Sequence, residues 1–167
     1  MRQILLLVLG FFLVTGYAAE PPLGVGSTVL DWSLTTGEGE RLNYYEDSEG
    51  KVSVIIFWAT SCIYCHSLMP HLDIIYRKYR SKGVKFYAID VPEEGKIDPA
   101  KYFEAKQLSY TLLLDGDQVA EQFGVQRKPA VFVVDKDKTI VYKRPTGGSD
   151  VMVKQNVDLR IKQALAQ

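Results

Sequence analysis

Residues 52–58, Val-Ser-Val-Ile-Ile-Phe-Trp, form an apolar run interrupted only by a serine. It is too short for a helix, rich in β-branched side chains and without alternation, which predicts a strand buried on both faces. Residues 84–90 predict a second such strand. Between them Leu68, Leu72, Ile75 and Tyr79 recur at helical spacing, and Lys82-Gly83 supplies a glycine stop. Thr60-Ser61 offers the N-cap of that helix, with Cys62 in its first turn, and Pro70 inside it should kink it.

The flanking segments complete an alternating α/β pattern. Residues 28–34 and 40–43 are short strand candidates joined by a Gly37-Glu38-Gly39 hairpin signal. Asp98-Pro99 is a cap followed by proline, opening a helix to about Lys106. Residues 111–114 predict a short strand, and Asp117 a capped helix stopping at Gly124. Ala130–Val134 and residues 139–144 form a hairpin across residues 135–138. Asp150 starts a last helix with Val153, Val157, Ile161 and Leu165 on one side. The order is a strand hairpin, then β-α-β-α, then β-β-α.

Residues 1–18 carry the marks of a secretory signal: basic Arg2, an apolar stretch over residues 4–14 broken by Gly10, and Gly16-Tyr17-Ala18 at the cleavage positions. An uncleaved membrane anchor is the alternative, although the run falls short of the ~20 residues a spanning helix needs. Either reading exports residues 19–167 as one domain, periplasmic or otherwise extracytoplasmic. The 20 basic and 20 acidic residues cancel, and loss of Arg2 would leave about −1. That balance gives no basis for binding nucleic acid or an anionic membrane. With 47% hydrophobic residues the domain can bury a core without disulfide staples.

The two cysteines of the chain, Cys62 and Cys65, stand in a Cys-x-x-Cys pair directly after the first buried strand. A disulfide between them closes so small a ring that it adds almost nothing to stability. Reversible redox chemistry is the better use. A helix N-terminus stabilises a thiolate, so Cys62 is the candidate exposed nucleophile and Cys65 the more buried resolving thiol. His66 extends the motif to C-x-x-C-H, the spacing of c-type haem attachment. Against haem, the motif lies between a buried strand and a long amphipathic helix. A metal site from these residues and His71 is disfavoured, because His66 and His71 are five apart on the helix and point in different directions. Trp58 and Tyr64 flank the cysteines, as core aromatics or as a platform for partners, with a contact role favoured for Tyr64. Residues 91–99, with Glu93 and Glu94, are either a loop near the cysteines or a solvated connection.

Residues 57–65, Phe-Trp-Ala-Thr-Ser-Cys-Ile-Tyr-Cys, followed by Met69-Pro70, resemble the active-site stretch of the TlpA/ResA-type thioredoxin-like proteins. Further matching pieces are residues 86–90, 112–115, 123–125 and 128–135, and the likeness covers residues 23–166. It implies a thioredoxin-like fold, a central mixed β-sheet flanked by helices, with the N-terminal β-hairpin as an extension. It also implies extracytoplasmic thiol–disulfide exchange with protein substrates, without a bound cofactor. Pro129 would be cis beside the cysteines, and the backbone near Lys128 would pair with an extended partner segment. The implied direction is reduction, of apocytochrome c or other exported disulfides, with electrons from a membrane-bound donor. Oxidase or isomerase activity, or non-catalytic client binding, are the alternatives.

Three positions depart from the family. Leu68 stands where members often carry Glu, Ile56 where thioredoxin has a buried Asp, and Arg127-Lys128 where small or apolar residues are usual. Fewer carboxylates and an added cation favour the thiolate and hence a more oxidising disulfide. Water, His66 or a Glu from elsewhere would have to accept the proton of Cys65.

Overall fold

The computed structural model describes residues 22–93 and 97–167; the signal-like segment 1–18 lies outside them. Its strands are β1 (Ser33–Thr36), β2 (Arg41–Asn43), β3 (Ser53–Trp58), β4 (Lys85–Asp90), β5 (Thr111–Leu114), β6 (Ala130–Val134) and β7 (Ile140–Lys143). The helices are α1 (Tyr44–Asp47), α2 (Ile63–Tyr79), α3 (Pro99–Lys106), α4 (Asp117–Gln122) and α5 (Asp150–Leu165). The strands make one mixed sheet of seven in the order β2-β1-β5-β4-β3-β6-β7.

All six residues of β3, Ser53 included, are buried, as the lack of alternation in the run predicts. The strand runs parallel to β4 and antiparallel to β6. Its alternate side chains divide the core into two layers. Val54, Ile56 and Trp58 pack with Leu68 and Leu72 of α2, Tyr102 and Phe103 of α3, and Val157 of α5. Ile55 and Phe57 point the other way, among Trp32, Tyr44, Tyr87 and Phe123. Burying apolar side chains of this size contributes about 1.5–3 kcal/mol each, so no other strand does more to hold the two layers together.

The N-terminal hairpin is present but displaced. β1 begins at Ser33, and residues 26–29 lie along β7 instead, with Gly26 N donating to Ile140 O at 2.8 Å and Val29 N to Lys138 O at 2.8 Å. Asp31 explains the turn between these two stretches. Its carboxylate accepts from Tyr45 N and from the Asn43 side chain, bending the chain away from β7. Asn43 then caps the one-turn helix α1, which apolar periodicity is too short to reveal. The Asp98 cap and Pro99 start of α3 stand as expected. Asp117 is the first residue of α4 rather than its cap, which is Gly116.

Asp158 ties α5 to α2. It accepts from Lys78 Nζ at 2.5 Å and Tyr79 Oη at 2.9 Å, and pairs with Lys162 at 2.8 Å. Partial burial alone would raise this carboxyl, but the bonds from Lys162, Lys78 and Tyr79 outweigh it and bring the pKa down from 3.8 to about 2. A pKa lowered by folding stabilises above the unfolded value, and that contribution fades as pH falls through the folded one. Asp158→Asn should therefore unfold at lower denaturant concentration at neutral pH. Its deficit against the wild type should narrow as pH falls from about 4 to about 2, as followed by urea titration at stepped pH.

Candidate functional site

The carboxyl end of β3 delivers the cysteines. Val91 N donates to Trp58 O, closing the β3–β4 pairing, and a turn at residues 59–61 leads into α2, with Cys62 N donating to Ala59 O. The N-cap of α2 is Cys62 itself rather than Thr60 or Ser61. Its backbone is extended, with φ −84° and ψ 99°, and its Sγ accepts from Cys65 N at 3.2 Å. The sulfur thus does what a serine or aspartate side chain does at an N-cap. The sequence reading placed Cys62 in the first turn; the cap position aims Sγ at the free N–H groups, where a thiolate gains most.

Cys62 and Cys65 form a disulfide with their Cα atoms 5.2 Å apart. Cys62 is partly exposed and Cys65 fully buried, so one sulfur is open to attack from outside and the other is not. Ile63 and Tyr64, 74% and 71% exposed, stand out from the surface between them.

His66 is half-buried. Its Nε2 donates to Thr60 O at 2.9 Å, and its ring stacks on Tyr102 with centroids 4.7 Å apart. The imidazole is thereby committed to bracing the turn that carries Cys62. Its Nε2 points at a carbonyl rather than at a position where an iron bound beside the cysteines could use it. Trp58 has no exposed surface and packs on Tyr102 and Phe103, which makes it a core residue and removes it from any partner platform.

The peptide Lys128–Pro129 is cis. Pro129, Tyr64, Arg127, Arg144 and Gly148 are among the residues lining a groove of about 930 Å³. Arg144 braces its floor: Nη1 donates to Pro129 O at 3.0 Å and Nη2 to Gly148 O at 3.2 Å. Gly124 lines the same groove with φ +62°, and a Cβ there would lie 2.2 Å from Pro22 Cβ, so the lead-in and the groove wall meet only because this residue is glycine.

Ile56 and Leu68, at the positions where related proteins carry acids, are completely buried in apolar core. Carboxylates reach the region from other elements. Asp90, buried at the end of β4, is the register partner of Trp58. Glu93, just beyond it, accepts from Ser61 Oγ and pairs with Lys128 Nζ, joining the loops before Cys62 and before Pro129. Glu93 thus belongs to the site. Burial lowers the Lys128 ammonium below its ordinary value, against the opposite pull of Asp90 and Asp117. Lys128 is therefore not an uncompensated cation beside the sulfurs. Glu93 decides between the two readings of its segment in favour of a loop near the cysteines, whereas local sequence could not place Tyr102 or Arg144 here, because each arrives from an element distant in the chain.

A mixed sheet with this strand order, a Cys-x-x-Cys pair capping the helix after the central strand, and a cis-proline loop alongside define a thioredoxin-like protein. Residues 25–143 match the family model described as "AhpC/TSA family". The thiol-disulfide oxidoreductase ResA of Bacillus cereus (strain ATCC 10987 / NRS 248) is 31% identical over 146 residues, 84% of this chain and 83% of that protein. The protein of the same name from Geobacillus thermodenitrificans is 33% identical over 143 residues, 82% of this chain and 81% of that one. A solved thiol:disulfide interchange protein of the thioredoxin family from Chlorobium tepidum superposes with a TM-score of 0.71 at 21% identity, covering 85% of this chain and 98% of that one. The chain belongs to the AhpC/TSA family and, within it, to the ResA-type thiol–disulfide oxidoreductases.

On reduction, the cap position should hold the Cys62 thiol below the ordinary ~8.5, while apolar burial should hold Cys65 above it. Glu93→Gln should move Cys62 lower still by removing the carboxylate that offsets Lys128. The pH dependence of alkylation in Cys65→Ser and in Cys65→Ser/Glu93→Gln measures the Cys62 thiol, and that in Cys62→Ser the Cys65 thiol.

Proposed function

We propose that the protein is an extracytoplasmic thiol–disulfide oxidoreductase that reduces disulfides of exported proteins. The observation that carries this reading is the asymmetry of the pair: Cys62 partly exposed at a helix cap, Cys65 wholly buried behind it. In the reduced protein the Cys62 thiolate attacks one sulfur of the partner disulfide and expels the other as a thiolate, which takes up a proton. Cys65, once deprotonated, attacks Cys62 Sγ, releasing the second partner thiolate and leaving the Cys62–Cys65 disulfide. The partner gains two electrons and two protons, and the protein loses them.

Pro129 and the backbone at Lys128 form the wall against which an extended partner segment lies, and Tyr64 provides an apolar contact at its end. His66 holds the turn before Cys62. Support for export comes from the signal-like residues 1–18; among the described residues, no helix is long and apolar enough to cross a membrane. A protein working as a reductant in an oxidising compartment needs a donor of electrons, and a membrane-bound dithiol protein is the kind that could supply them there. Apocytochrome c is a fitting client, because its own Cys-x-x-Cys pairs must be reduced before haem attachment.

Cys65→Ser, expressed in the native compartment, should accumulate protein-sized mixed disulfides through Cys62, and Cys62→Ser should not; the absence of adducts from both would leave only a binding role. The capped thiolate and the apolar residues at positions 56 and 68 should set the reduction potential less negative than ~−270 mV, the value for thioredoxin. Equilibration with glutathione buffers measures it. The in vivo redox state gives the direction: largely reduced protein supports the reductant, and largely oxidised protein the oxidase.

A further inference from the structure

The chain as a whole is neutral, with 20 basic and 20 acidic residues, but the groove beside the cysteines is not. Arg127, Lys128, Lys143 and Arg144 all line it, against Asp150 as its one acidic lining residue among those described. Lys128 is largely accounted for by Glu93. The other three cations differ from it. Lys143 Nζ donates to Leu23 O at 2.8 Å, and the two Arg144 bonds also go to carbonyls, so their charge is held in place by neutral acceptors. Arg127 is exposed and, among the described residues, has no carboxylate partner. Asp150, in turn, accepts from Ser67 Oγ of α2 at 2.5 Å.

We infer that this groove selects partner segments that carry carboxylates beside their reactive cysteine. The inference rests on the exchange reading above and adds the substrate class. The occupant is an extended stretch of a protein chain: exposed Tyr64, cis-Pro129, Arg144, Thr146 and Gly148 line one open groove, and the loop before a cis-proline offers backbone for strand pairing. Its cysteine lies over Cys62, beside Tyr64, and its acidic side chains lie toward Arg127, Lys143 and Arg144. Three lining cations that have, among the described residues, no carboxylate partner raise the local concentration of such segments and orient them before the sulfurs meet. Basic segments meet like charge there and are held off.

The test uses the reduced protein and two synthetic peptides of equal length. Each bears one cysteine as a mixed disulfide with a small aromatic thiol, flanked on the groove side by three Asp or by three Lys. Rates are normalised to those of dithiothreitol with the same peptides, which removes their intrinsic reactivity. The acidic peptide should react at least about tenfold faster at low salt, within the range electrostatic steering provides. That advantage should collapse in ~1 M salt, where the Debye length is about 3 Å, and should shrink severalfold in Arg127→Ser. Equal rates at low salt, or faster reaction of the basic peptide, would overturn the inference. Reduction of neutral hydroxyethyl disulfide separates the two levels: its failure refutes the exchange function itself, and its success alongside indifferent peptides refutes only the selectivity.

Discussion

The burial of β3 on both faces is the constraint from which the site follows. A strand with water on neither side must satisfy its backbone through neighbours and its side chains through two cores, and here β4, β6 and the two apolar layers do both. Its carboxyl end is thereby fixed, and so are the turn and helix cap that follow. Cys62 needs no stabilising role of its own to stand where it does. This frees the disulfide to open and close without the fold depending on it, as the small ring already suggested.

Electrostatics around the sulfurs is a balance rather than a simple excess of positive charge. The N-terminus of α2 favours the thiolate, and the buried Ile56 and Leu68 withhold the carboxylates that would oppose it. Lys128 would add to that bias on its own, yet Glu93 pairs with it. The same glutamate bonds Ser61, so the loops bearing Cys62 and Pro129 are coupled through one carboxylate. Charge and loop geometry at the site cannot be altered separately at this position.

Much of this was legible in the sequence for identifiable reasons. Runs without alternation marked β3 and β4, and the spacing of Leu68, Leu72, Ile75 and Tyr79 marked the buried face of α2. The Asp98-Pro99 start of α3 was legible because capping chemistry is local. The start of β1 was not, since the lead-in residues 26–29 are drawn to β7, more than a hundred residues away in sequence, and Asp31 turns the chain between them. The Cys-x-x-Cys pair was visible from spacing and position alone. The burial of Trp58, the bracing of His66 by Tyr102 and the pairing of Glu93 with Lys128 depend on contacts between separate elements, which no local pattern encodes.

The lay of residues 26–29 along β7 has a further effect. An open sheet has two flanks, and each unpaired flank invites the backbone of any passing extended chain. Here one flank is the three-residue β2, too short to hold a visitor, and the other is already engaged by the protein's own lead-in. A thiol–disulfide oxidoreductase with both flanks closed in this way is insulated from pairing with passing chains along its sheet edges. The backbone left open beside the exposed Tyr64 is the cis-proline loop, so the guarded flanks reserve for that one place the strand pairing that the proposed function needs.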